Sequence, residues 1–418
     1  MSKLSNGLPK YPKIRPVNSA WIKHKGYNYL KLDDPMSISG QSILIPEHLS
    51  YVVLICDGTK DIFEMRSLMR KNYGLDLSVD NITELLNYLD AGFLLENGNF
   101  KHVEQMMLKE YQDSDYRAPY HAGAVYPSNP SELRNLLNEY SGAIRLQEGR
   151  VNRNGELVGI ISPHIDYSRG HSTYARLWER ASTNLREVEL VIVLGTDHNG
   201  GSGQITATFQ DYATPWGILP TETSVVKTLE SELGSEFLFK EEFHHIKEHS
   251  IELALVWLHY SLEISLLPPV PIVPILCGSF STFITGEKTL YRDNKIRTLI
   301  YCLKQIMERR KTLVMAAGDL AHLGPVFGDT APMDDESKFQ LKTADYASLN
   351  AICNSNPNLF FEISQRESDY RRICGLSPIY ISLELLTGAR GEHLGYKQCP
   401  ASVQGDSIVS IAGALLYK

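Results

Sequence analysis

Three short apolar runs between residues 150 and 320 each end in a loop that contains a histidine. The runs cover residues 157–161, 188–194 and 312–317, and the histidines that follow them are His164, His198 and His322. An apolar run of this length, bounded by turn residues, is typical of a buried strand. Open α/β sheets place their ligands and catalytic groups at the carboxyl ends of such strands. The pattern therefore predicts that these histidines lie at one edge of a sheet.

Strand and helix patterns alternate from about residue 118 to residue 418. This alternation predicts an α/β fold whose mostly parallel sheet is covered by helices on both faces. One helix, which we expect to begin near residue 248, is apolar over a wide face and is therefore predicted to be buried.

A different pattern occupies the first hundred residues. It predicts a strand leading into a helix at 43–56, helices at 62–73 and 81–91, and a β-wing at 92–99. The first 31 residues contain six lysines and one arginine but no acid. Such a segment suits an arm that meets an acidic partner, but the favoured interpretation is a solvated arm or an edge strand lying against the next domain. We expect a basic arm and a small winged-helix-like α+β domain at 1–108, followed by the larger domain at 118–418.

Composition narrows the class of protein. A chain of 418 residues exceeds one ordinary core, and a net charge of -8 argues against nucleic acid as a partner. No apolar run approaches the roughly 20 residues that cross a bilayer, and the N-terminus has no apolar signal segment. Six scattered cysteines suit free thiols in a reducing compartment. We therefore expect a cytoplasmic protein without membrane contact; the sequence indicates no oligomeric state.

The candidate chemistry is metal binding. His164 and His198 stand where two imidazole ligands are expected, and Asp319 or His322 would complete the set. Such a set leaves metal positions open to substrate and oxygen and suits iron(II) first, with copper or zinc as alternatives. His249 begins the buried helix, whose dipole would lower the pKa of its imidazole. His249 is therefore the predicted general acid or base.

Each of these residues also has a structural interpretation. A single histidine at a strand end is more often a hydrogen-bonded structural residue than a ligand, and the coincidence of three such ends is what favours a metal. Asp166 and Asp197 suit either the orientation of ligands or the capping of loops. Cys374 is interpreted as a buried thiol, because nothing near it in the sequence indicates activation.

Eight short motifs follow one another between residues 121 and 415. They are His121-Ala-Gly-x-x-Tyr126, Ser162-Pro-His-Ile-Asp-Tyr-Ser-x-Gly170, Leu194-Gly-Thr-Asp-His198, Glu248-His-Ser-Ile-Glu252, Val273-Pro-Ile-Leu-Cys-Gly278, Gly318-Asp-Leu-Ala-His-Leu-Gly324, Ile373-Cys-Gly-x-x-Pro378 and Val409-Ser-Ile-Ala-Gly-Ala-Leu415. In order and spacing they closely resemble the Memo family, including the prokaryotic members called AmmeMemoRadiSam system protein B. The resemblance covers about residues 118–418.

The Memo fold is similar to that of class III, or LigB-type, extradiol dioxygenases. Those enzymes hold ferrous iron with two histidines and a glutamate and cleave catechol rings. The resemblance implies that His164 and His198 take the two histidine ligand places and that His249 takes the place of the base.

The third ligand is where this chain departs from the family pattern. In animal Memo proteins a metal-binding cysteine follows the Asp-Phe pair of the sixth motif, and in this chain, where that motif is Gly318-Asp-Leu-Ala-His-Leu-Gly324, Ala321 stands in its place. Asp319 or His322 would then have to supply the third ligand, or the two histidines would hold the metal together with water.

The first domain carries a second resemblance. Leu54-x-Cys-Asp-Gly-Thr59, two helices and Ala91-Gly-Phe-Leu94 resemble PqqD-like winged-helix domains over about residues 40–100. Such domains hold peptide segments in other systems, and related winged helices bind DNA. Residues 1–108 contain twelve basic and twelve acidic side chains, which disfavours DNA.

Two functions follow as hypotheses. The first is a Memo-family non-haem iron oxidoreductase, dioxygenase-like in type, that acts on a small-molecule or peptide ligand. The alternative is a non-catalytic protein that binds a ligand or peptide at a vestigial dioxygenase site and acts with a radical-SAM partner protein.

Overall fold

The computed structural model describes residues 7–36, 38, 40–148 and 155–418. The chain divides into two compact units, Met1–Asp113 and Ser114–Lys418. Each unit has an apolar core of its own.

The described part of the first unit is a three-stranded antiparallel sheet packed with helices. Its elements are β1 (Asn18–His24), β2 (Tyr27–Asp33), β3 (Ile43–Pro46), α1 (Glu47–Ile55), α2 (Ile62–Tyr73), α3 (Val79–Ala91) and α4 (Gly98–Asp113). The strand order is β1-β2-β3. Residues of the basic arm thus form the edge strand β1, which was one of the two predicted alternatives.

Side-chain caps fix the two predicted helices of this unit. The Asp61 carboxylate accepts the backbone N–H groups of Phe63 and Glu64 at the start of α2, and the Ser78 hydroxyl accepts that of Asn81 at the start of α3. Such caps satisfy backbone donors that the first helical turn leaves unpaired. The helices predicted at 62–73 and 81–91 are confirmed to within two residues.

The predicted β-wing at 92–99 is wrong. Leu95 makes one isolated bridge with Ile14, and helix α4 begins at Gly98. The reason is the Asn97 side chain, whose Oδ1 accepts the backbone N–H groups of Asn99 at 3.0 Å and Phe100 at 3.1 Å. Asn-Gly suits a hairpin turn, but here the asparagine caps a helix.

The second unit is an α/β structure around one large sheet. Its strands are β4 (Leu157–Ser162), β5 (Leu190–Thr196), β6 (Ile205–Ala207), β7 (Tyr212–Thr214), β8 (Gly217–Leu219), β9 (Ile272–Cys277), β10 (Thr312–Ala317), β11 (His322–Leu323), β12 (Arg390–Pro400) and β13 (Ile408–Tyr417). Its α-helices are α5 (Pro130–Glu148), α6 (Tyr167–Ala181), α7 (Thr223–Leu233), α8 (Ser235–Leu238), α9 (His249–Ile264), α10 (Ser281–Ile284), α11 (Asn294–Met307), α12 (Asp335–Cys353), α13 (Pro357–Arg366) and α14 (Leu376–Leu385).

The sheet is mixed, which corrects the prediction of a mostly parallel one. Its order is β11-β13-β4-β10-β5-β9-β6, with β12 paired to β13. Strands β4, β10, β5 and β9 are parallel neighbours, whereas β6, β11, β12 and β13 pair antiparallel. The last two long strands follow one another through a short loop rather than a helix, and such a connection gives antiparallel pairing.

Helices cover both faces of this sheet, as predicted. Along β5, Leu190, Ile192 and Leu194 belong to one core cluster, while Val191 and Val193 belong to the other. A strand buried on both faces reads as a continuous apolar run, which is why the sequence revealed it. Among the described residues, no helix combines the length and apolarity that a bilayer crossing requires.

The parallel centre of the sheet brings the two predicted ligand loops together. Strand β10 lies between β4 and β5 and is parallel to both. The carboxyl ends of β4 and β5 are therefore at the same edge, one strand apart, and the loops that carry His164 and His198 leave from that edge.

Candidate metal centre

Each histidine of the centre stands beside the end of an element. His164 follows β4, His198 follows β5, and His249 is the first residue of α9 behind its capping residue Glu248. The predicted start of this helix is thus confirmed, and His245 lies before it in the 3-10 turn Glu242–Ile246.

The three imidazoles of His164, His198 and His249 form one cluster. Their ring centroids are 4.9 Å apart for 164–198, 5.0 Å for 164–249 and 4.8 Å for 198–249. One ligand atom of each lies within 4.8 Å of the others. The side chain of His164 is buried, whereas those of His198 and His249 are about one-third exposed, at 35% and 34%. The cluster is therefore open to solvent on one side.

One nitrogen of each ring is already occupied by the protein. The Nδ1 atom of His164 lies 3.2 Å from the carbonyl oxygen of Ala317. The Nδ1 atoms of His198 and His249 lie 3.1 and 3.2 Å from the carboxylate of Glu248. Metal-binding histidines typically donate one ring N–H to a carboxylate or carbonyl in this way. The Nε2 atoms are left for a ligand.

The electrostatics of the cluster follow from burial and from Glu248. Burial lowers the pKa of His164 well below its ordinary value, and burial lowers that of His249 to about 4. Burial opposes the charge on His198 as well, but the Glu248 carboxylate raises its pKa well above the ordinary value. The two imidazoles in turn hold the pKa of Glu248 well below its usual range despite its burial. The lowered pKa expected for His249 is thus found, with burial as the first cause.

Asp319 lies beside the cluster but is occupied in shaping a loop. Its Oδ1 accepts the backbone N–H groups of His164 at 2.8 Å and Ile165 at 3.3 Å, and its Oδ2 is 3.9 Å from Nε2 of His164. Burial raises its pKa to about 7. Asp319 therefore holds His164 in place through the backbone.

His322 is not among the residues that the structure brings together here. It lies in β11, its Nδ1 is 3.2 Å from the carbonyl oxygen of Leu320, and its ring contacts that of Phe327. Ala321 is buried in a separate apolar cluster. Burial, followed by the nearby His198, lowers the pKa of His322 to about 4.

Cys374 reaches the cluster, although sequence reasoning missed it. Its Sγ is 3.2 Å from Nε2 of His164 and 3.6 Å from the carbonyl oxygen of Asp319. Burial raises the pKa of this thiol. The approach depends on glycines: a Cβ on Gly318 would lie 2.4 Å from the Cα of Gly375. The motif Ile373-Cys-Gly-x-x-Pro378 was the available signal, because its glycine allows this backbone contact.

The comparison with known families decides the identity of the chain. The model of the Memo-like protein family matches residues 117–415, which is most of the chain and almost all of the second unit. The chain belongs to the Memo-like family. The family prediction made from the eight motifs is thereby confirmed.

Several curated Memo relatives are similar over most of their length. A MEMO1 family protein of Aquifex aeolicus is 26% identical over 395 residues, which are 92% of this chain and 95% of that protein. A MEMO1 family protein of Nitrosopumilus maritimus is 23% identical over 300 residues, 70% of this chain and 95% of that protein. One from Methanococcus maripaludis is 28% identical over 310 residues, 72% and 99% of the two chains.

Two aspartates near the Memo motifs take different roles. Asp166 caps α6 by accepting the backbone N–H of Arg169 at 3.1 Å. Asp197 lies 2.9 Å from Nδ1 of His244, and with Glu241 these two form a second group of side chains. Asp197 also caps its own loop, because its Oδ1 accepts the backbone N–H of Asn199 at 3.0 Å. The capping alternative is thus found for both aspartates, and neither contacts an imidazole of the proposed centre.

The donor set of the Memo centre fits a transition metal. Imidazole nitrogens suit iron, copper and zinc, and a thiolate sulfur favours copper, zinc or iron over magnesium or calcium. Since the Nδ1 atoms of His164, His198 and His249 all have protein partners, no imidazole needs to turn in order to present Nε2.

Proposed function

We propose that this Memo-like protein binds a redox-active transition metal at the edge of its sheet and acts as a non-haem oxidoreductase of dioxygenase-like type. Iron(II) is the first candidate, and copper and zinc are the alternatives. The observation that carries the proposal is the convergence of three imidazoles whose Nδ1 atoms are all held by the protein.

The proposed ligands are His164, His198 and Cys374. Two of them, His164 and Cys374, already have donor atoms 3.2 Å apart, a separation suited to two ligands of one ion. Asp319 keeps His164 at the edge by accepting its backbone N–H. A bound ferrous ion would supply redox chemistry for which protein side chains have no group.

His249 is the proposed acid or base of the centre. Its pKa of about 4 keeps the imidazole neutral near pH 7, and Glu248 engages its Nδ1. Nε2 of His249 then carries the lone pair that can accept a proton from a substrate beside the metal. Its exposed fraction of 34% leaves room for that substrate.

The family resemblance suggests the finer assignments. The LigB-type dioxygenases suggest a catechol-like small molecule as substrate. The likeness to AmmeMemoRadiSam system protein B suggests a radical-SAM partner, and the PqqD-like pattern suggests that the first unit holds a peptide. These assignments are part of the proposal.

Metal analysis of anaerobically purified protein tests the first step. We expect about one iron, copper or zinc ion per chain, and its loss in His164→Ala and in His198→Ala. His171→Ala is the matched control, because His171 lies one helical turn into α6 and its Nδ1 faces the carbonyl oxygen of Ser168. Equal metal content in wild type and both cluster variants would contradict the proposal.

Two further variants separate ligand from base. Cys374→Ser should weaken metal affinity by about tenfold or more, which is at least ~1.4 kcal/mol.

His249→Gln should keep the metal and lower oxygen uptake with a panel of catechols by about 10²–10⁴-fold. Loss of metal in His249→Gln would instead make His249 a ligand. If iron-loaded wild type takes up no oxygen with any catechol of the panel but binds a peptide tightly, the non-catalytic alternative is favoured.

A further inference from the structure

We infer that Glu248 is the positioning residue of the centre: one buried carboxylate sets the protonated nitrogen, and thereby the orientation, of both His198 and His249. The inference rests on the proposed function in that it assigns these imidazoles to the metal and to the substrate. It adds a residue that makes a ligand and a base depend on the same group.

The carboxylate of Glu248 is surrounded by N–H donors. Its Oε1 accepts the backbone N–H of Ser250 at 3.0 Å and lies 3.2 Å from Nδ1 of His249. Its Oε2 accepts the backbone N–H of His198 at 3.2 Å, and Nδ1 of the same residue lies 3.1 Å from both Oε1 and Oε2. The side chain is only 4% exposed. Four N–H groups thus share two oxygens with little water present.

This arrangement allows the imidazoles of His198 and His249 only one hydrogen-bonding pattern. An ionised carboxylate only accepts hydrogen bonds, so both Nδ1 atoms must carry protons. Nε2 of each ring is then the atom that can bind a metal or accept a proton. The two rings lie stacked, with an interplanar angle of 15° and centroids 4.8 Å apart, so both Nε2 atoms belong to the same side of the carboxylate.

Glu248 itself is fixed from two directions. It is the N-cap of α9, and the Ser250 hydroxyl donates to the carbonyl oxygen of Thr196 at 2.8 Å, which joins the helix start to the end of β5. Arg117 donates through Nη2 to the backbone oxygen of Glu248 at 3.0 Å. These contacts hold the backbone from which the Glu248 carboxylate reaches both imidazoles.

Glutamine at this position would break the pattern despite its similar shape. An amide offers one oxygen and one NH₂ group. In either orientation the NH₂ group faces a backbone N–H, that of Ser250 or that of His198, and both of these can only donate. At the Oε1 position the NH₂ group also faces Nδ1 of His249, which would have to lose its proton to accept from it; that ring would then carry its proton on Nε2. At the Oε2 position it faces Nδ1 of His198, which lies 3.1 Å from both oxygens and would keep only its bond to Oε1.

The test measures the protonation of the ring nitrogens directly. Full-length protein labelled with ¹⁵N in histidine is studied by NMR, both metal-free and loaded with Zn²⁺. We expect a proton on Nδ1 of His198 and of His249 in the wild type. In Glu248→Gln we expect either loss of the His249 Nδ1 proton or a shift of the His198 Nδ1 resonance as that nitrogen loses one of its two oxygen partners. Zinc affinity should fall about 10–100-fold in the same variant.

Asp197→Asn is the matched control, because Asp197 is another buried carboxylate that faces an imidazole Nδ1, that of His244. It should change the spectrum of His244 and leave the Nδ1 protons of His198 and His249 in place. A wild type in which either of these Nδ1 atoms lacks a proton would overturn the inference, and this outcome needs no variant to fold.

The two proposals fail in different ways. If wild type binds no iron, copper or zinc while both Nδ1 atoms carry protons that Glu248→Gln disturbs, the metal function fails and the positioning role stands. If wild type binds metal and Glu248→Gln keeps both protons, an unshifted His198 Nδ1 resonance and a zinc affinity within about twofold, the positioning role is overturned and the metal function stands.

Discussion

The two nitrogens of each imidazole in the centre have different tasks. One is bound to a carbonyl or a carboxylate of the protein, and the other faces the space that His164, His198 and His249 share. His322 has the same kind of Nδ1 contact, with the carbonyl oxygen of Leu320, but it lies outside this group of three and its ring contacts that of Phe327.

Single residues of this centre could be predicted only where a local pattern carries them. His164 and His198 follow apolar runs, and His249 starts an apolar helix, so periodicity alone points to them. Cys374 does not, because its place depends on the contact of Gly318 with Gly375 across 57 positions of sequence. The spacing of apolar residues gives no signal for a contact between two backbone segments that are distant in sequence.

Asp369 provides a prediction about pH. Its φ of 58° is in the left-handed region, and its Oδ1 is buried with no hydrogen-bond partner among the residues that the structure describes. Burial raises its pKa to about 6 from an ordinary value of 3.8. A raised carboxyl pKa in the folded state means that stability is lost as the pH rises from about 4 through 6. Asp369→Asn should therefore gain stability relative to wild type as the pH rises, by at most about 1 kcal/mol because the side chain is partly exposed.

The measurement is denaturant unfolding of wild type and Asp369→Asn at pH 4 and pH 7.5. Asparagine also tolerates the left-handed backbone, so the substitution adds no strain. The exposed Asp115 provides a control, since Asp115→Asn should give a stability difference that does not grow with pH. A gain for Asp369→Asn that is larger at pH 4 would contradict the prediction.

At the scale of elements, helix α9 joins the centre to the start of the second unit. Glu252, one turn after His249, is buried and accepts the backbone N–H of His121 at 2.8 Å and the Tyr126 hydroxyl at 2.5 Å. Arg117 pairs with the same carboxylate. The motif His121-Ala-Gly-x-x-Tyr126 is thus bound to the helix that carries the proposed base.

Removal of the Arg117 side chain should destabilise the fold. Arg117 and Glu252 are each about 1% exposed, and the loss of one partner leaves the other charge buried and unpaired. Arg117→Ala should lower the free energy of unfolding by about 3–5 kcal/mol. Arg134→Ala removes the half-exposed partner of Glu263, which lies on α9 as Glu252 does. This variant should lower the free energy of unfolding by less than about 1 kcal/mol.

Urea unfolding followed by tryptophan fluorescence measures both variants, because Trp257 lies within α9 and is buried. An equal decrease in the free energy of unfolding for Arg117→Ala and Arg134→Ala would show that the buried ion pair stabilises the fold no more than the exposed one. The double variant Arg117→Ala with Glu252→Gln should recover part of the loss, since it removes the unpaired charge as well.

Element boundaries were predictable where a side chain caps the helix. Asp61, Ser78 and Glu248 each accept backbone N–H groups at a helix start, and the sequence places all three next to apolar periodicity. The failure at Asn97 has the same physics, because one asparagine can either turn a hairpin or cap a helix, and the choice depends on where Phe100 is buried.

For the whole molecule, the two units differ in what they contribute. Every residue of the proposed centre and the whole large sheet lie within Ser114–Lys418. The Nitrosopumilus maritimus relative matches over 95% of its own length with only 70% of this chain. Members of the family therefore exist without a counterpart for a large part of this chain.

A fragment of residues 114–418 should accordingly keep the centre. We expect it to bind the same number of metal ions per chain as the full-length protein, with an affinity within about threefold, or ~0.7 kcal/mol. Metal analysis and competition titration of both forms check this, with His198→Ala in the fragment as the control. A folded fragment that binds no metal would make the first unit part of the centre.

The class of the fold was predictable from alternating helix and strand patterns, but the mixed sheet was not. Strand β13 is a buried, mostly apolar run like the parallel strands, whereas β12 is mostly polar and only partly buried. Neither pattern indicates with which neighbour or in which direction these strands pair. Their antiparallel pairing depends on the short loop between them and on the free edge of β4.

The strand between the two ligand loops is the last of the four parallel strands to be synthesised. A growing chain that has released residues up to about 300 contains β4, β5 and β9 with His164, His198 and His249, but β10 does not yet separate β4 from β5. Cys374 emerges later still. The histidines cannot take their final spacing on the ribosome until that gap is filled, so a metal ion held by the proposed centre would be acquired near the end of translation or after release.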